Sequence, residues 1–153
     1  MSDEQLARRV AALLNGRTIA TAESCTAGRV AESLAGVEGA SDFLRGGVVA
    51  YQEGVKRDVL GISAESVLTA QAAEEMVIGV ARLLDADVAV STTGVAGNEP
   101  EEGTPPGTVH IGIKVHDAVA STTYQFHGSP AEVCDRARHQ ALLDLVCALD
   151  HSS

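Results

Sequence analysis

Apolar and polar positions along the chain follow two periods in turn, one typical of helices and one typical of strands. Apolar residues at helical spacing over 6–14 predict a first helix that Gly16 can end. Helical spacing also predicts helices over 28–34, over 69–84 with Thr69 as N-cap, and after Pro130 as far as Leu149. Short apolar runs predict strands over 17–22, 46–52, 87–93, 108–115 and 119–127.

The order of these elements predicts the fold. Helices and strands alternate along most of the chain, whereas the last two strands adjoin across a tight turn at His116-Asp117 and look antiparallel. This order predicts an α/β protein, a three-layer α/β/α sandwich on a mixed sheet. With 153 residues, the chain is expected to form one domain, 1–153, with a core of its own.

Composition narrows the possible functions. Hydrophobic residues make up 45% of the chain, yet it contains two Phe and no Trp, so the core must be aliphatic. The formal net charge of −10 excludes a nucleic-acid surface, because phosphate contacts need clustered Lys and Arg. An anionic small ligand would need local N–H groups and a few nearby cations.

Cysteine and histidine usage indicates a reducing compartment without a metal site. The three cysteines lack C-x-x-C spacing, and the sequence has neither a signal peptide nor a membrane-length apolar run. We therefore expect a cytoplasmic location and no membrane partner. The five histidines are scattered without ligand spacing, so we expect no metal ligand set.

Hydroxyls, a thiol and a carboxylate crowd the predicted strand-to-helix turn over 21–28. Backbone N–H groups and the positive end of a helix dipole are expected to be free there for an anion or a developing oxyanion. A nucleophile at such a turn would be well placed for acyl chemistry. The alternative is that Ser24 or Thr26 only caps the helix.

Two further segments carry chemically useful residues. Tyr51 lies near the end of the predicted strand over 46–52, on the same face as Gly47 and Val49, and Lys56 follows it after Gly54. An amphipathic tyrosine and a solvated lysine are the simpler interpretation. The loop over 94–107 directly follows a strand, where open α/β sheets bind their ligands. It is long for a connector, but its three glutamates also suit an ordinary solvated loop.

Four motifs together resemble the CinA C-terminal domain family: TAESCTAG over 21–28, GGVVAY over 46–51 with Lys56, TGVAG over 93–97, and PGTV over 106–109. They stand in the family's order and cover nearly the whole chain. The resemblance implies an amidohydrolase that converts nicotinamide mononucleotide into nicotinate mononucleotide and ammonia. It also implies the stand-alone form, because residue 17 already begins the first motif strand.

The resemblance assigns roles to particular residues. Ser24 is implied to be the nucleophile, with Lys56 and Tyr51 as its partners, in a mechanism without metal or cofactor. The implied partner is a small-molecule nucleotide, with no nucleic acid and no membrane, and the resemblance favours a homo-oligomer. The implied substrate-binding residues are Cys25, Thr26, Ala27, Gly28, Gly46, Gly47, Thr93, Gly94, Ala96, Gly97, Asn98, Gly107 and Thr108.

This mechanism sets physical requirements. A serine–lysine pair works when the lysine is neutral, which requires a pKa lowered by burial or nearby positive charge. Cys25 is a rival nucleophile, since a thiol at a helix N-terminus can have a lowered pKa. The loop over 93–107 is expected to form one wall of the nucleotide site. Its glutamates, Glu99, Glu101 and Glu102, are expected to face solvent, with Asn98 facing inward.

The chain departs from the family pattern at several positions. Ala27 stands where the family usually has glycine, and Thr104 stands where a lysine is usual. Relatives tend to have arginines at the start of the last helix, where this chain has Pro130 and Cys134, so Arg136 or Arg138 would have to hold a phosphate. These departures leave two alternatives open: a binding or regulatory module without amidase activity, and an amidase for a different small amide.

Overall fold

The computed structural model describes residues 1–152. These residues form five strands and five α-helices, with a short 3₁₀ turn over Ala40–Asp42. In chain order the elements are α1 (Asp3–Leu14), β1 (Ile19–Glu23), α2 (Arg29–Ala35), β2 (Leu44–Val49), α3 (Glu53–Leu60), α4 (Ala70–Leu84), β3 (Val88–Gly94), β4 (Thr108–Val115), β5 (Ala118–Gln125) and α5 (Pro130–Asp150).

The strands form one mixed sheet in the order β2-β1-β3-β4-β5. Strands β2, β1 and β3 are parallel, whereas β4 is antiparallel to both β3 and β5. The chain moves outward from β1 to β2 and then crosses back to β3 on the other side of β1. This reversal creates a crevice at the carboxyl ends of β1 and β3, which is where open α/β sheets bind ligands.

Helices cover both faces of the sheet, as the sequence predicts. Helices α1, α2 and α5 pack together on one face over an aliphatic cluster that includes Leu6, Leu34 and Leu142. Helix α4 covers the other face with α3 beside it, and Leu60 and Met76 belong to that second cluster. The predicted three-layer α/β/α sandwich on a mixed sheet is therefore confirmed.

Local signals account for most element boundaries. The Thr69 hydroxyl accepts a hydrogen bond from the Ala72 amide, which confirms the predicted N-cap of α4. A two-residue turn at His116-Asp117 joins β4 to β5, also as predicted. Helix α5 begins with a capping box between Ser129 and Glu132. Within residues 1–152 no helix is both long and apolar enough to cross a bilayer.

Several strand ends and one helix differ from the sequence prediction. Strand β1 runs to Glu23 rather than ending at 22, and β2 ends at Val49 rather than at 52. Helix α3 is not among the predicted elements. Its buried side chains are Lys56 and Leu60, one turn apart. An amphipathic helix is predicted from apolar residues at such inward positions, and here one of the two is a lysine.

Candidate active site

The turn that follows β1 lies at the crevice between β1 and β3. The Ser24 amide donates a hydrogen bond to the Thr92 carbonyl at 3.0 Å, which extends the pairing of β1 with β3. On the other side, the Ala50 amide donates to the Glu23 carbonyl at 2.8 Å. Ser24 is therefore anchored between both neighbouring strands, and it is 4% exposed.

The carboxylate of Glu23 holds the first turn of α2. Its Oε1 accepts from the Val30 amide and its Oε2 from the Ala31 amide, both at 2.9 Å. Thr26 Oγ1 also donates to Oε1 at 2.7 Å, and Thr21 Oγ1 donates to Oε2 at 3.1 Å. A negative charge at this end of the helix is favourable because it complements the helix dipole.

This arrangement corrects two expectations about the turn. The N-cap of α2 is Gly28, which makes no side-chain cap, so neither Ser24 nor Thr26 caps the helix. The first helical amides are not free for an anion, because Glu23 binds them. Within residues 1–152 the amides of Cys25, Thr26 and Gly28 donate to no protein acceptor. Thr26 is fully buried, so the amides of Cys25 and Gly28 are the candidate donors for an oxyanion.

Helix α3 brings Lys56 to the same turn. Lys56 is 3% exposed, and within residues 1–152 its side chain forms no ion pair or hydrogen bond. Burial lowers the pKa of the Lys56 ammonium, although Cys25, Glu101, Glu102 and Glu53 act against this fall. The interpretation of Lys56 as an ordinary solvated lysine is therefore wrong.

The thiol of Cys25 does not have the lowered pKa that its position at the turn suggested. Burial raises the pKa of Cys25 to about 12, with a further rise from Cys134. The nearby Thr92 hydroxyl and the charge of Lys56 act in the opposite direction without cancelling the effect of burial. A thiol in this environment stays protonated near neutral pH, which weakens Cys25 as a rival nucleophile.

Tyr51, the third candidate catalytic residue, has a largely exposed side chain. Its side chain is 65% exposed beside Val49, and it follows the buried Ala50. This exposure continues the alternation of side chains seen in β2, although Tyr51 lies two residues beyond its end. Within the described part of the chain Tyr51 donates no hydrogen bond to Ser24 or Lys56. The catalytic role of Tyr51 stays a prediction from the resemblance.

Two of the predicted binding threonines have roles inside the protein. Thr93 Oγ1 donates to the Val67 carbonyl at 2.8 Å, and Thr108 Oγ1 donates to Gln125 Oε1 at 2.8 Å. Thr92, the residue before Thr93, faces the turn instead, with its Oγ1 at 2.7 Å from Thr26 Oγ1. Successive strand residues face opposite sides of a sheet, so a shift of one position selects the other face.

Some of the predicted binding glycines serve the packing of strands. Gly46 and Gly47 pair with Ala20 and Thr21 in the middle of β2, not at its carboxyl end. A Cβ at Gly47 would collide with Thr21 Oγ1, and one at Gly94 would collide with the Thr108 carbonyl. The packing of the sheet therefore requires glycine at 47 and 94, whether or not a ligand binds.

The loop after β3 folds into a tight turn of its own. Glu101 and Thr104 exchange two backbone hydrogen bonds, with Glu102 and Gly103 both at positive φ between them. The three glutamates are exposed, as predicted, and Glu102 accepts a hydrogen bond from Ser66. The prediction that Asn98 faces inward is wrong, since Asn98 and Gly97 are exposed as well, whereas Ala96 is half-buried and Gly107 is buried.

Cavities and clusters elsewhere in the molecule differ in character from this turn. A surface cavity of about 530 Å³ lies between α1 and α2 and is lined by residues such as Glu4, Arg8 and Glu32. Arg8 is paired there with Glu4 at 2.6 Å. Within residues 1–152 no group of three or more His, Cys, Asp and Glu side chains could serve as metal ligands.

Comparison with known proteins identifies the family. The sequence model described as the CinA C-terminal domain matches residues 3–149. The chain belongs to the CinA family. A CinA-like protein from Mycolicibacterium gilvum is 42% identical over 143 residues, covering 88% of this chain and 33% of that protein. A CinA-like protein from Flavobacterium psychrophilum is 42% identical over 132 residues, covering 82% and 31%.

Solved structures of the CinA family share the whole fold. The competence damage-inducible protein A from Klebsiella pneumoniae has a TM-score of 0.96 at 32% identity, covering 100% of both chains. Another CinA superfamily protein, also from Klebsiella pneumoniae, has a TM-score of 0.94 at 33% identity, covering 99% of both. By contrast, this chain spans about a third of the length of the curated relatives that it matches.

One departure from the CinA pattern, Cys134, contacts the turn itself. Cys134, at the start of α5, donates through its Sγ to the Cys25 carbonyl at 2.9 Å. Arg138 is paired with Asp3 at 3.0 Å, and Arg136 is exposed. Arg29 also lies beside the turn, and its Nη1 donates to the Thr26 carbonyl at 3.0 Å.

Sequence reasoning passed over three residues at this site: Glu23, Thr92 and Arg29. Glu23 carried a usable signal, because a lone carboxylate in a strand of apolar and hydroxyl residues must find buried partners. Arg29 carried a weaker one, as a cation at the first position of a helix, where the dipole is unfavourable to positive charge.

Proposed function

We propose that this protein hydrolyses the carboxamide of nicotinamide mononucleotide to nicotinate mononucleotide and ammonia, with Ser24 as the nucleophile and Lys56 as its base. Membership of the CinA family supports amide hydrolysis as the reaction class, because the four motifs of this chain resemble those of the family. The observation that carries the proposal is the burial of Lys56, with its lowered pKa, beside a serine turn at the crevice of the sheet.

The steps follow from the chemistry of an amide. Neutral Lys56 removes the proton of the Ser24 hydroxyl, and Ser24 Oγ attacks the carboxamide carbon. The amides of Cys25 and Gly28 are the donors for the oxyanion, and such a donor contributes about 3–4 kcal/mol in other hydrolases. The Lys56 ammonium gives its proton to the leaving nitrogen, and ammonia departs. Water activated by Lys56 then releases nicotinate mononucleotide from Ser24.

Ammonia release from nicotinamide mononucleotide tests this proposal directly. Ser24→Ala should reduce turnover by roughly 10⁴-fold or more, because the acyl intermediate can no longer form. Cys25→Ala is the matched control at the next position and should keep most of the activity, since its thiol stays protonated. An active Ser24→Ala protein, together with a dead Cys25→Ala protein, would reverse the assignment of the nucleophile.

One observation favours an amidase for a different small amide. Glu101 and Glu102 lie close enough to Lys56 to affect its pKa, so this side of the site is acidic and unfavourable to a phosphate. Nicotinamide riboside carries the same carboxamide without the phosphate. A higher kcat/KM for the riboside than for the mononucleotide would select this alternative. Absence of ammonia from both compounds, in a protein that binds one of them, would select the binding module.

A further inference from the structure

Glu23 occupies a position that an apolar residue would normally hold. It lies at the end of β1, directly before Ser24, and it is 1% exposed. Four donors surround its carboxylate: two backbone amides of α2 and the hydroxyls of Thr21 and Thr26. Burying a charged group costs free energy unless all its partners are present, and here they are.

The same carboxylate sets the direction of a chain of hydroxyl groups. A carboxylate accepts hydrogen bonds, so Thr26 Oγ1 must direct its proton to Glu23. The contact of 2.7 Å between Thr26 and Thr92 must then be a donation from Thr92 Oγ1 to Thr26 Oγ1. Through Thr26 and Thr92, Glu23 links the turn to β3 as well as to α2.

Ser24 and Cys25 lie between two anchored points of this network. Glu23 is fixed in β1 before them, and Thr26 is fixed by the carboxylate after them. The amides of Cys25 and Gly28, which the mechanism assigns to the oxyanion, belong to this same short segment. Oxyanion donors act only when their direction is fixed before the reaction, because reorganisation costs part of their benefit.

We propose that Glu23 is a positioning residue, which holds the serine turn so that its free amides point at the developing oxyanion. The catalytic consequence of this inference rests on the proposed amidase function. Glu23 itself does not touch the substrate, because its carboxylate is enclosed by α2 and the two threonines. Its effect should therefore appear in the transition state rather than in substrate binding.

The central variant is Glu23→Gln, in which an NH₂ group replaces one carboxylate oxygen. That group is a donor, so it faces other donors and the turn must shift. We expect kcat to fall by about 100-fold while KM changes by less than about threefold. Glu74→Gln is the matched control: Glu74 is half-buried and accepts from Ser121 on the β5 side, away from the turn, so kcat should be unchanged.

Thr26 provides a second, milder test. Thr26→Val keeps the shape but removes the hydroxyl that links Glu23 to Thr92, and kcat should fall by about tenfold. Thr26→Ser restores the hydroxyl and should restore kcat. If Thr26→Ser is as slow as Thr26→Val, the hydroxyl chain does not position the turn and the proposal fails.

Labelling of Cys25 with iodoacetamide, located by peptide mass spectrometry, reports on the turn without any amidase activity. Cys25 is buried whereas Cys147 is exposed, so Cys147 serves as the internal reference in each sample. Loosening of the turn in Glu23→Gln should raise the labelling rate of Cys25 by about tenfold or more, with no change in Glu74→Gln.

The two readouts separate the possible failures. A wild-type protein that releases no ammonia overturns the proposed function, and the labelling rate still decides whether Glu23 holds the turn. Equal loss of kcat in Glu23→Gln and Glu74→Gln, in step with their thermal stability, means a purely structural role and overturns the proposal. Unchanged kcat in Glu23→Gln overturns it too.

Discussion

Ala27 adopts a left-handed backbone conformation, with a φ of 49°, directly before Gly28. A residue with a Cβ pays about 1–2 kcal/mol in this region, which explains physically why glycine suits the position in the family. Part of that cost is offset, because alanine also restricts the unfolded chain. The turn at Ala27 is therefore strained.

Replacement of Ala27 by glycine should stabilise the protein. Relief of the left-handed strain exceeds the added entropy of the unfolded chain, so Ala27→Gly should raise the free energy of unfolding by about 0.5–1 kcal/mol, measured by urea denaturation. Ala31→Gly, inside α2, is the control and should lower it by about 1 kcal/mol. A loss of stability in Ala27→Gly would show that the turn does not carry this strain.

Lys56 should impose a pH dependence on activity. Its ammonium must lose a proton before it can accept one from Ser24, and burial lowers the pKa from the ordinary 10.5. We expect kcat/KM to rise with pH and to level off with a midpoint below 10.5, and Lys56→Arg to be nearly inactive at every pH. A profile without this rise, or an active Lys56→Arg protein, would remove Lys56 as the base.

The acidic loop between β3 and β4 affects the pKa of Lys56. Glu101 and Glu102 raise the pKa of Lys56 through their negative charge, whereas Glu99 on the same loop is not among the groups that act on it. The double change Glu101→Gln and Glu102→Gln should therefore move the rising limb of the pH profile to lower pH. Glu99→Gln should leave it in place, and equal shifts in both proteins would mean a general charge effect.

The segment between α3 and α4 is fastened to the sheet by buried polar groups. His110 on β4 contacts the Leu68 carbonyl through Nε2 at 3.1 Å and Thr123 Oγ1 through Nδ1 at 2.8 Å. A carbonyl only accepts, so Nε2 carries the proton and Nδ1 accepts from Thr123. Thr93 holds the neighbouring Val67 carbonyl.

His110 should make stability depend on pH. Burial lowers its pKa below the ordinary 6.5, although the Leu68 carbonyl opposes this. Below pH 6.5 the unfolded chain binds a proton that the folded protein excludes. The free energy of unfolding therefore decreases as the pH is lowered, by at most about 1.4 kcal/mol per pH unit. Urea denaturation at pH 7.5 and 5 should show a smaller difference in His110→Gln than in the wild type. His116→Gln, at an exposed turn, should match the wild type.

At the scale of the whole molecule, the sequence predicted the fold better than the site. Caps, apolar stripes and tight turns act over a few residues, so the helices, the strands and the order of the layers could be predicted from them. Helix α3 could not, because Lys56 holds an inward position that is polar. The partners of Glu23 and Thr92 could not either, since they come from segments far apart in the chain and only the folded sheet brings them together.

Net charge offers the final prediction. The chain carries a formal charge of −10, so it should repel a nucleotide whose phosphate outweighs its pyridinium charge. Raising NaCl from 0.02 to 0.3 M should screen this repulsion and lower KM for nicotinamide mononucleotide by about twofold to fivefold.

Nicotinamide riboside, a cation with the same carboxamide, is the matched control for this effect. Its attraction to the acidic protein is screened by the same salt, so its KM should rise where that of the mononucleotide falls. The opposite slopes depend only on the sign of the ligand charge, which separates screening from any effect of salt on the fold. A KM for the mononucleotide that rises with salt would mean that cations at the site, with Arg29 the first candidate, outweigh the net charge of the molecule.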